Sequence, residues 1–320
     1  MAKPYRVAEA KIAAKVEASP GVTETLASGD VFLGQDVSLQ LKYGDNQNAG
    51  LTGVLSKEAG ASGMQTGELS FKVAMKGQGA AGTAPEWRDA IMSCGFSETI
   101  SGGVSVAYAP AAPESYYTYG VEFPGLGGAG EDLIFRLTGC QGSFKLTWKG
   151  GEFMFMECTV QGVIVTAPAD GSQLGSPTWD TTAPNAFLAP AMTFHGVSGL
   201  AFETFELDMG QEIAIRPNAN GATGALTAQI TGRRPRGSVD FEHEKLATFN
   251  PNTRITGNTT GAISMTAIGA AGNKVAVSCP KVRFFSEDLA DRAGALVAKL
   301  GFEALRSANA GNDEVSIVLT

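Results

Sequence analysis

Gly67-Glu-Leu-Ser-Phe-Lys72 and Gly237-Ser-Val-Asp-Phe-Glu242 are two tracts in which apolar and polar side chains alternate. Alternation of this kind is typical of a β-strand with one buried face. Each tract follows another alternating segment, Val37-Ser-Leu-Gln-Leu41 in the first half of the chain and Phe205-Glu-Leu-Asp-Met209 in the second. Corresponding positions are about 32 residues apart in one half and about 34 in the other. The pattern therefore predicts that one β-rich unit occurs twice.

The correspondence extends further along each half. Gly139-Cys-Gln-Gly-Ser-Phe144 aligns with Cys279-Pro-Lys-Val-Arg-Phe284. Other apolar or alternating tracts predict further strands. In the first half we expect them at 104–108, 117–123, 133–137, 143–148 and 153–165, and in the second at 202–209, 226–231, 238–241, 262–267, 274–278, 296–305 and 315–319.

Each half is also predicted to contain one short helix. Ala84–Gly95 has a proline and a glutamate at its start and a glycine at its end, which are typical signals for the two ends of a helix. Trp87, Ile91 and Met92 are expected on its buried side. In the second half we expect a helix near 242–249.

These patterns divide the chain into four segments. Residues 1–36 are expected to form an N-terminal arm, and 37–166 a first β domain. Residues 167–190 contain four prolines and little periodicity, which favours a linker, and 191–320 form a second β domain. The predicted fold class is mainly β, with two tandem sandwich or barrel domains, each flanked by a short α-helix.

The composition limits the possible functions. The chain has 320 residues, 43% hydrophobic and 18% charged, which is typical of a folded protein with a substantial core. Its net charge of −8 argues against nucleic-acid binding by the surface as a whole, because such binding depends on Lys and Arg. The four scattered cysteines predict reduced, buried thiols. No signal-peptide pattern or membrane-length apolar run occurs in the sequence, so we expect a cytoplasmic product without a membrane partner.

The motifs that could support catalysis are weak. Gly125–Gly130 matches GxGxxG, but the residues after it alternate like a strand, so we expect a glycine-rich turn. His243 begins an HExxH-like tract that lacks its second histidine, and His195 is the only other histidine. Gly232-Arg-Arg-Pro-Arg-Gly237 could hold a phosphate or carboxylates, or could be a solvated turn or an ion pair between subunits. We therefore expect no catalytic, cofactor or metal site and no enzymatic activity.

Six packing and turn segments occur in order along the chain: Gly67–Lys76, Glu86–Phe96, Leu137–Phe144, Glu157–Gly162, Arg236–Phe241 and Thr260–Met265. Their order resembles the major tail tube proteins of long-tailed bacteriophages. The resemblance covers about 35–320, and it is carried by the order of the segments rather than by any one of them.

The resemblance implies two packed β-sheets flanked by a short helix. It also implies a structural protein of the virion tail, assembled in the host cytoplasm into stacked rings that conduct DNA during ejection. Single-domain members form six-fold rings, so two copies per chain imply a homotrimer with pseudo-six-fold symmetry, a homohexamer being the alternative. The implied partners are other copies of the chain, a tape measure protein, a tail terminator and DNA in transit. The arm and the loop 44–66 are candidates for contacts between rings. From the charge of −8 we expect an acidic lumen.

Two other classes of function remain open. A β-rich surface or adhesion module would fit the fold class, but it would need an export route. An enzyme would need a nucleophile, a base or a metal set that the sequence does not present.

Overall fold

The computed structural model describes residues 4–48, 50, 56, 58–112, 115–126 and 130–320. These residues are mainly β, and all their strand pairs are antiparallel, which confirms the predicted class. Neither of the two α-helices in the described ranges is long enough to cross a membrane, since each has six residues.

The first half of the chain contributes ten strands and one α-helix among its described residues, with a 3₁₀ turn at Ser28–Asp30. In chain order they are β1 (Lys11–Val16), β2 (Val31–Phe32), β3 (Gln35–Asn46), β4 (Ala61–Ala74), α1 (Arg88–Ser93), β5 (Phe96–Ser101), β6 (Ser105–Pro110), β7 (Tyr117–Phe123), β8 (Leu133–Lys149), β9 (Phe155–Val163) and β10 (Ala169–Asp170).

The second half contributes ten more strands and the second α-helix. They are β11 (Thr193–Phe194), β12 (Val197–Ser198), β13 (Phe202–Asp208), β14 (Gln211–Pro217), β15 (Ala225–Arg233), β16 (Arg236–Glu242), α2 (Pro251–Thr256), β17 (Thr260–Ser264), β18 (Val275–Arg292), β19 (Ala295–Ala304) and β20 (Ser316–Leu319).

Eight of these strands form one continuous sheet that runs through both halves. Its order is β3-β4-β9-β8-β13-β16-β19-β18. The first parts of the long strands β8 and β18 leave this sheet and pair instead with β7 and β10, and with β17 and β20. Phe71 of β4 packs against Tyr119 of β7, with ring centroids 5.9 Å apart, so the two sets of strands enclose a common core.

The two halves repeat the same strand pairings. The path β3·β4·β9·β8·β7·β1 in the first half matches β13·β16·β19·β18·β17·β11 in the second. The register is irregular at matching places: between Thr138 and Gln141 in β8, and between Phe284 and Ser286 in β18. Since a bulge is a specific feature of a strand pair, its recurrence sets the correspondence between the halves residue by residue.

This correspondence corrects the alignment made from sequence. Leu39 pairs with Leu69 as Phe205 pairs with Val239, so Leu39 corresponds to Phe205 and not to Leu207. A shift of two residues keeps every side chain on the same face, so the alternating pattern could not detect it.

The second aligned tract is displaced as well. The matching bulges make Phe144 correspond to Leu289, five residues beyond the Phe284 with which the sequence aligned it. The alignment made from sequence matched two conspicuous phenylalanines, whereas the backbone pairing matches strand positions.

One of the two α-helices lies where the sequence predicted it, and the other does not. α1 lies inside the predicted 84–95, with Trp87 and Ile91 buried and Met92 half-buried. The second helix was predicted wrongly at 242–249, because β16 ends at Glu242 and α2 begins at Pro251. The Asn250 side chain accepts a hydrogen bond from the backbone N–H of Thr253, and this N-cap followed by proline starts the helix.

Three predicted irregular segments contain regular structure. Within the arm, β1 pairs with β7, and its Ile12 and Ala13 are buried. The loop 44–66 is entered and left by the long hairpin of β3 and β4, and its residues 49, 51–55 and 57 lie outside the described residues. The segment 167–190 contains β10 and touches both halves, since the Phe187 ring packs against Trp148 and Asn185 is hydrogen-bonded to Asn273. The division into two domains stays a prediction.

Candidate functional site

The two halves join where β8 pairs with β13. Lys145–Lys149 of β8 lie opposite Thr204–Asp208 of β13, and one step further the backbone N–H of Met209 donates to the carbonyl of Phe144 at 3.1 Å. Trp148 and Phe205 face each other across this junction, fully buried, with ring centroids 5.9 Å apart. The junction therefore combines a strand ladder with an apolar core.

The corresponding strands of the outer ends have no such partner among the described residues. Over Gln35–Asn46, β3 pairs with β4 along one edge, and no described strand lies along its other edge. Among the described residues, β19 is the only strand that pairs with residues 284–292 of β18, because β17 and β20 bond to earlier residues of that strand. The eight-stranded sheet thus ends in two open edges, and open edges of this length are a liability unless another strand covers them.

The open end of β18 also exposes apolar side chains. Leu289 is 61% exposed, whereas its counterpart Phe144 is 2% exposed. On the opposite edge Tyr43 is 54% exposed, whereas its counterpart Met209 is completely buried. Positions that the internal junction buries are therefore exposed at the two ends of the sheet.

The outward face of this sheet is polar and mixed in charge. Cross-strand pairs join Lys42 to Glu68 at 2.7 Å and Lys72 to Glu157 at 3.2 Å. Arg292 lies 3.1 Å from Asp240. Acidic and basic groups thus alternate on this face, and many of the carboxylates are paired.

The arginine cluster of 232–237 is occupied by carboxylates of its own chain. Arg234, Arg236 and Arg283 surround Glu303, with Arg283 3.2 Å and Arg236 3.6 Å from its carboxylate oxygens. Arg233 lies 3.1 Å from Glu314. The hydrogen bond from Arg234 is the main cause that holds the pKa of Glu303 below its usual range. The cluster is therefore an intramolecular ion-pair network, and these contacts leave the phosphate-binding alternative without support.

Glu303→Gln is expected to lower the free energy of unfolding by about 1–2 kcal/mol at pH 7, because three arginines lose their shared counter-charge. The pKa of Glu303 is lower in the folded state, so its contribution is present above about pH 4.5 and is lost as the pH falls through the folded value. Urea unfolding at pH 7 and pH 3 measures both effects. Glu157→Gln is the matched control, expected within about 0.5 kcal/mol because this side chain is 41% exposed. An undiminished effect at pH 3 would contradict the charge-based explanation.

The two histidines lie in structural positions. His195 is in the tight turn between β11 and β12 with φ of 50°, and its ring stacks on the Phe284 ring with centroids 4.6 Å apart. Burial, and then the nearby Arg254, lower the pKa of His195 to about 4. The Nε2 atom of His243 lies 3.9 Å from the Glu287 carboxylate, and its Nδ1 atom lies 3.0 Å from the backbone carbonyl oxygen of Glu244. In the described part of the chain, no group of three or more His, Cys, Asp or Glu is arranged to hold a metal ion.

The glycine-rich tract and the cysteines are the remaining motifs. Residues 127–129 of the glycine-rich tract lie outside the described residues, and the strand expected after it is present as β8. All four cysteines are buried free thiols, and burial raises the pKa of Cys279 to about 12. Such a thiol stays protonated, which makes it a poor nucleophile.

A cavity of about 310 Å³ opens beside the start of β3. Its lysine, Lys76, lies 2.9 Å from the Asp180 carboxylate and donates to the carbonyls of Asp180 and Thr182. Trp87 closes the other side and donates from Nε1 to the carbonyl of Lys76. These bonds hold the segment 167–190 against the first half, which gives the lysine a structural role.

Comparison with known proteins adds no assignment. No protein-family model matches the sequence. No curated protein is significantly similar to it. The open edges and the internal junction are therefore the features on which a functional proposal rests.

Proposed function

We propose that this protein is the structural subunit of a bacteriophage tail tube, which assembles into stacked rings around a channel for DNA. The observation that carries the proposal is the eight-stranded sheet with an open edge at each end, β3 and the outer part of β18. Such a sheet can continue from one chain to the next. The order of the segments that resemble tail tube proteins supports the same function.

The strand directions allow a closed ring. Neighbouring strands in the sheet are antiparallel throughout, so its first and last strands run in opposite directions and can pair antiparallel across a subunit boundary. A head-to-tail contact of this kind closes into a ring when the rotation allows it. Three chains would give a barrel of about 24 strands, more than the 16–18 that leave an aqueous channel in porins.

The outward face of the sheet is our candidate for the channel wall. Several of its acidic and basic groups are paired across strands, as in Lys42–Glu68 and Lys72–Glu157. Paired charges do not provide the free Lys and Arg that would hold phosphates, so DNA could slide past this face. The acidic lumen expected from the net charge of −8 stays a prediction.

Negative-stain electron microscopy of the purified protein tests the proposal. We expect rings with three-fold symmetry, or tubes built from them, with a channel wide enough for a DNA duplex. Six chains per ring would keep the function and overturn the count of three. A protein that stays monomeric across protein concentration, ionic strength and pH would contradict the proposal.

A further inference from the structure

We propose that β3 of a second copy pairs antiparallel with residues 286–292 of β18, in the register that places Tyr43 opposite Leu289. The inference rests on the proposed function, because it names the contact through which the ring would close. Its basis is the internal junction, which already contains the same two kinds of strand in contact.

The register follows from the correspondence between the halves. Phe144 of β8 corresponds to Leu289 of β18, and Met209, which follows β13, corresponds to Tyr43 of β3. In the internal junction the backbone N–H of Met209 donates to the carbonyl of Phe144. The equivalent contact between two chains is a hydrogen bond from the backbone N–H of Tyr43 to the carbonyl of Leu289.

The side chains at these positions fit such a contact. Tyr43 and Leu289 are 54% and 61% exposed, and directly opposed side chains on neighbouring strands lie within contact distance. Leu296 of β19, 53% exposed, lies on the same face as Leu289 and extends the apolar surface. A second copy would cover all three, whose counterparts Met209, Phe144 and Met156 are buried.

The polar face is compatible with the same register. Lys42 of the second copy would lie opposite Ala290 and diagonally next to Asp288, so its ammonium group, which is 2.7 Å from Glu68 of its own chain, would lie between two carboxylates. The internal junction has an opposite-charge pair at the same place, since Asp208 lies opposite Lys145.

Disulfide formation between two single-cysteine variants tests the register. Tyr43→Cys and Leu289→Cys are mixed under mild oxidation and analysed on non-reducing gels. Directly opposed strand residues have the separation that a disulfide needs, and the four native cysteines are buried. We expect a covalent dimer in the mixture, at least ten-fold more than from either variant alone, and its loss on reduction. The double variant should yield a covalent ring, with the trimer as its largest product.

Gln40→Cys mixed with Leu289→Cys is the matched control, since Gln40 lies on the same edge but on the other face and three residues away. Circular dichroism checks that each variant folds. If rings are seen by electron microscopy but the control pair cross-links as much as Tyr43→Cys with Leu289→Cys, or more, the proposed register is wrong. The tube proposal would still hold in that case. Cross-linking of Tyr43→Cys with itself would indicate a symmetric contact between two β3 edges and overturn the inference. Absence of both rings and cross-links would overturn the inference and the tube proposal together.

Discussion

Trp148→Ala is expected to lower the free energy of unfolding by about 3–5 kcal/mol, because it opens a large cavity at the junction between the halves. The Trp148 side chain is completely buried, and its ring contacts Phe187 and Phe205 at centroid distances of 5.6 and 5.9 Å. It also donates from Nε1 to the carbonyl of Phe155, which would lose its partner. Urea unfolding followed by circular dichroism measures the change.

Trp179→Ala is the matched control. Trp179 is 41% exposed, so we expect its removal to change the free energy of unfolding by less than about 1 kcal/mol. A loss below about 1 kcal/mol for Trp148→Ala would contradict the view that the junction is part of the core. A second unfolding transition in this variant would show that the halves unfold separately once the junction is weakened.

Gly237→Ala is expected to destabilise the protein by about 2–3 kcal/mol, because there is no room for a Cβ atom. That atom would lie within 3 Å of the backbone oxygen of Glu206 and of the Phe302 ring. The oxygen belongs to the adjacent strand β13 and cannot move without breaking the ladder. The measurement is the midpoint of urea unfolding.

Two other glycines make the comparison specific. Gly67 occupies the corresponding place in β4, but its Cβ would meet the methyl groups of Leu137, which can rotate. We expect Gly67→Ala to cost about 1 kcal/mol. Gly150 has no atom closer than 3.7 Å to such a Cβ, so Gly150→Ala is expected to be neutral within about 0.5 kcal/mol. A cost for Gly237→Ala no larger than that for Gly67→Ala would contradict the explanation.

Local sequence was sufficient where a single periodicity dominates. The strand predicted at 117–123 is β7, with the same bounds. The glycine after α1, Gly95, has a φ of 74°, as expected for a residue that ends a helix. The mainly β class followed from many such segments, each of which needs only its own residues to be recognised.

Other elements were missed or misplaced because their determinants are not periodic. β18 was expected to end at Ser278 but continues to Arg292. Its second part, Ser286–Arg292, is mostly polar and is half-buried or exposed, so it lacks the alternation of a strand with one buried face. The second helix starts at its asparagine cap, Asn250, and not at the charged tract after β16. In both cases a specific hydrogen-bonding partner decides the element. The partner is strand β19 for the second part of β18, and the Asn250 side chain for the start of α2.

The sequence by itself determined the mainly β class, most strand positions and the presence of similar segments in the two halves. These depend on which side chains alternate, and alternation can be read locally. Only the tertiary structure decided the register between strands, the β8–β13 junction and the two edges left open. A backbone N–H or carbonyl is chemically the same in every residue, so the identity of its partner depends on how distant strands pack. That pairing separates the buried Phe144 from its exposed counterpart Leu289.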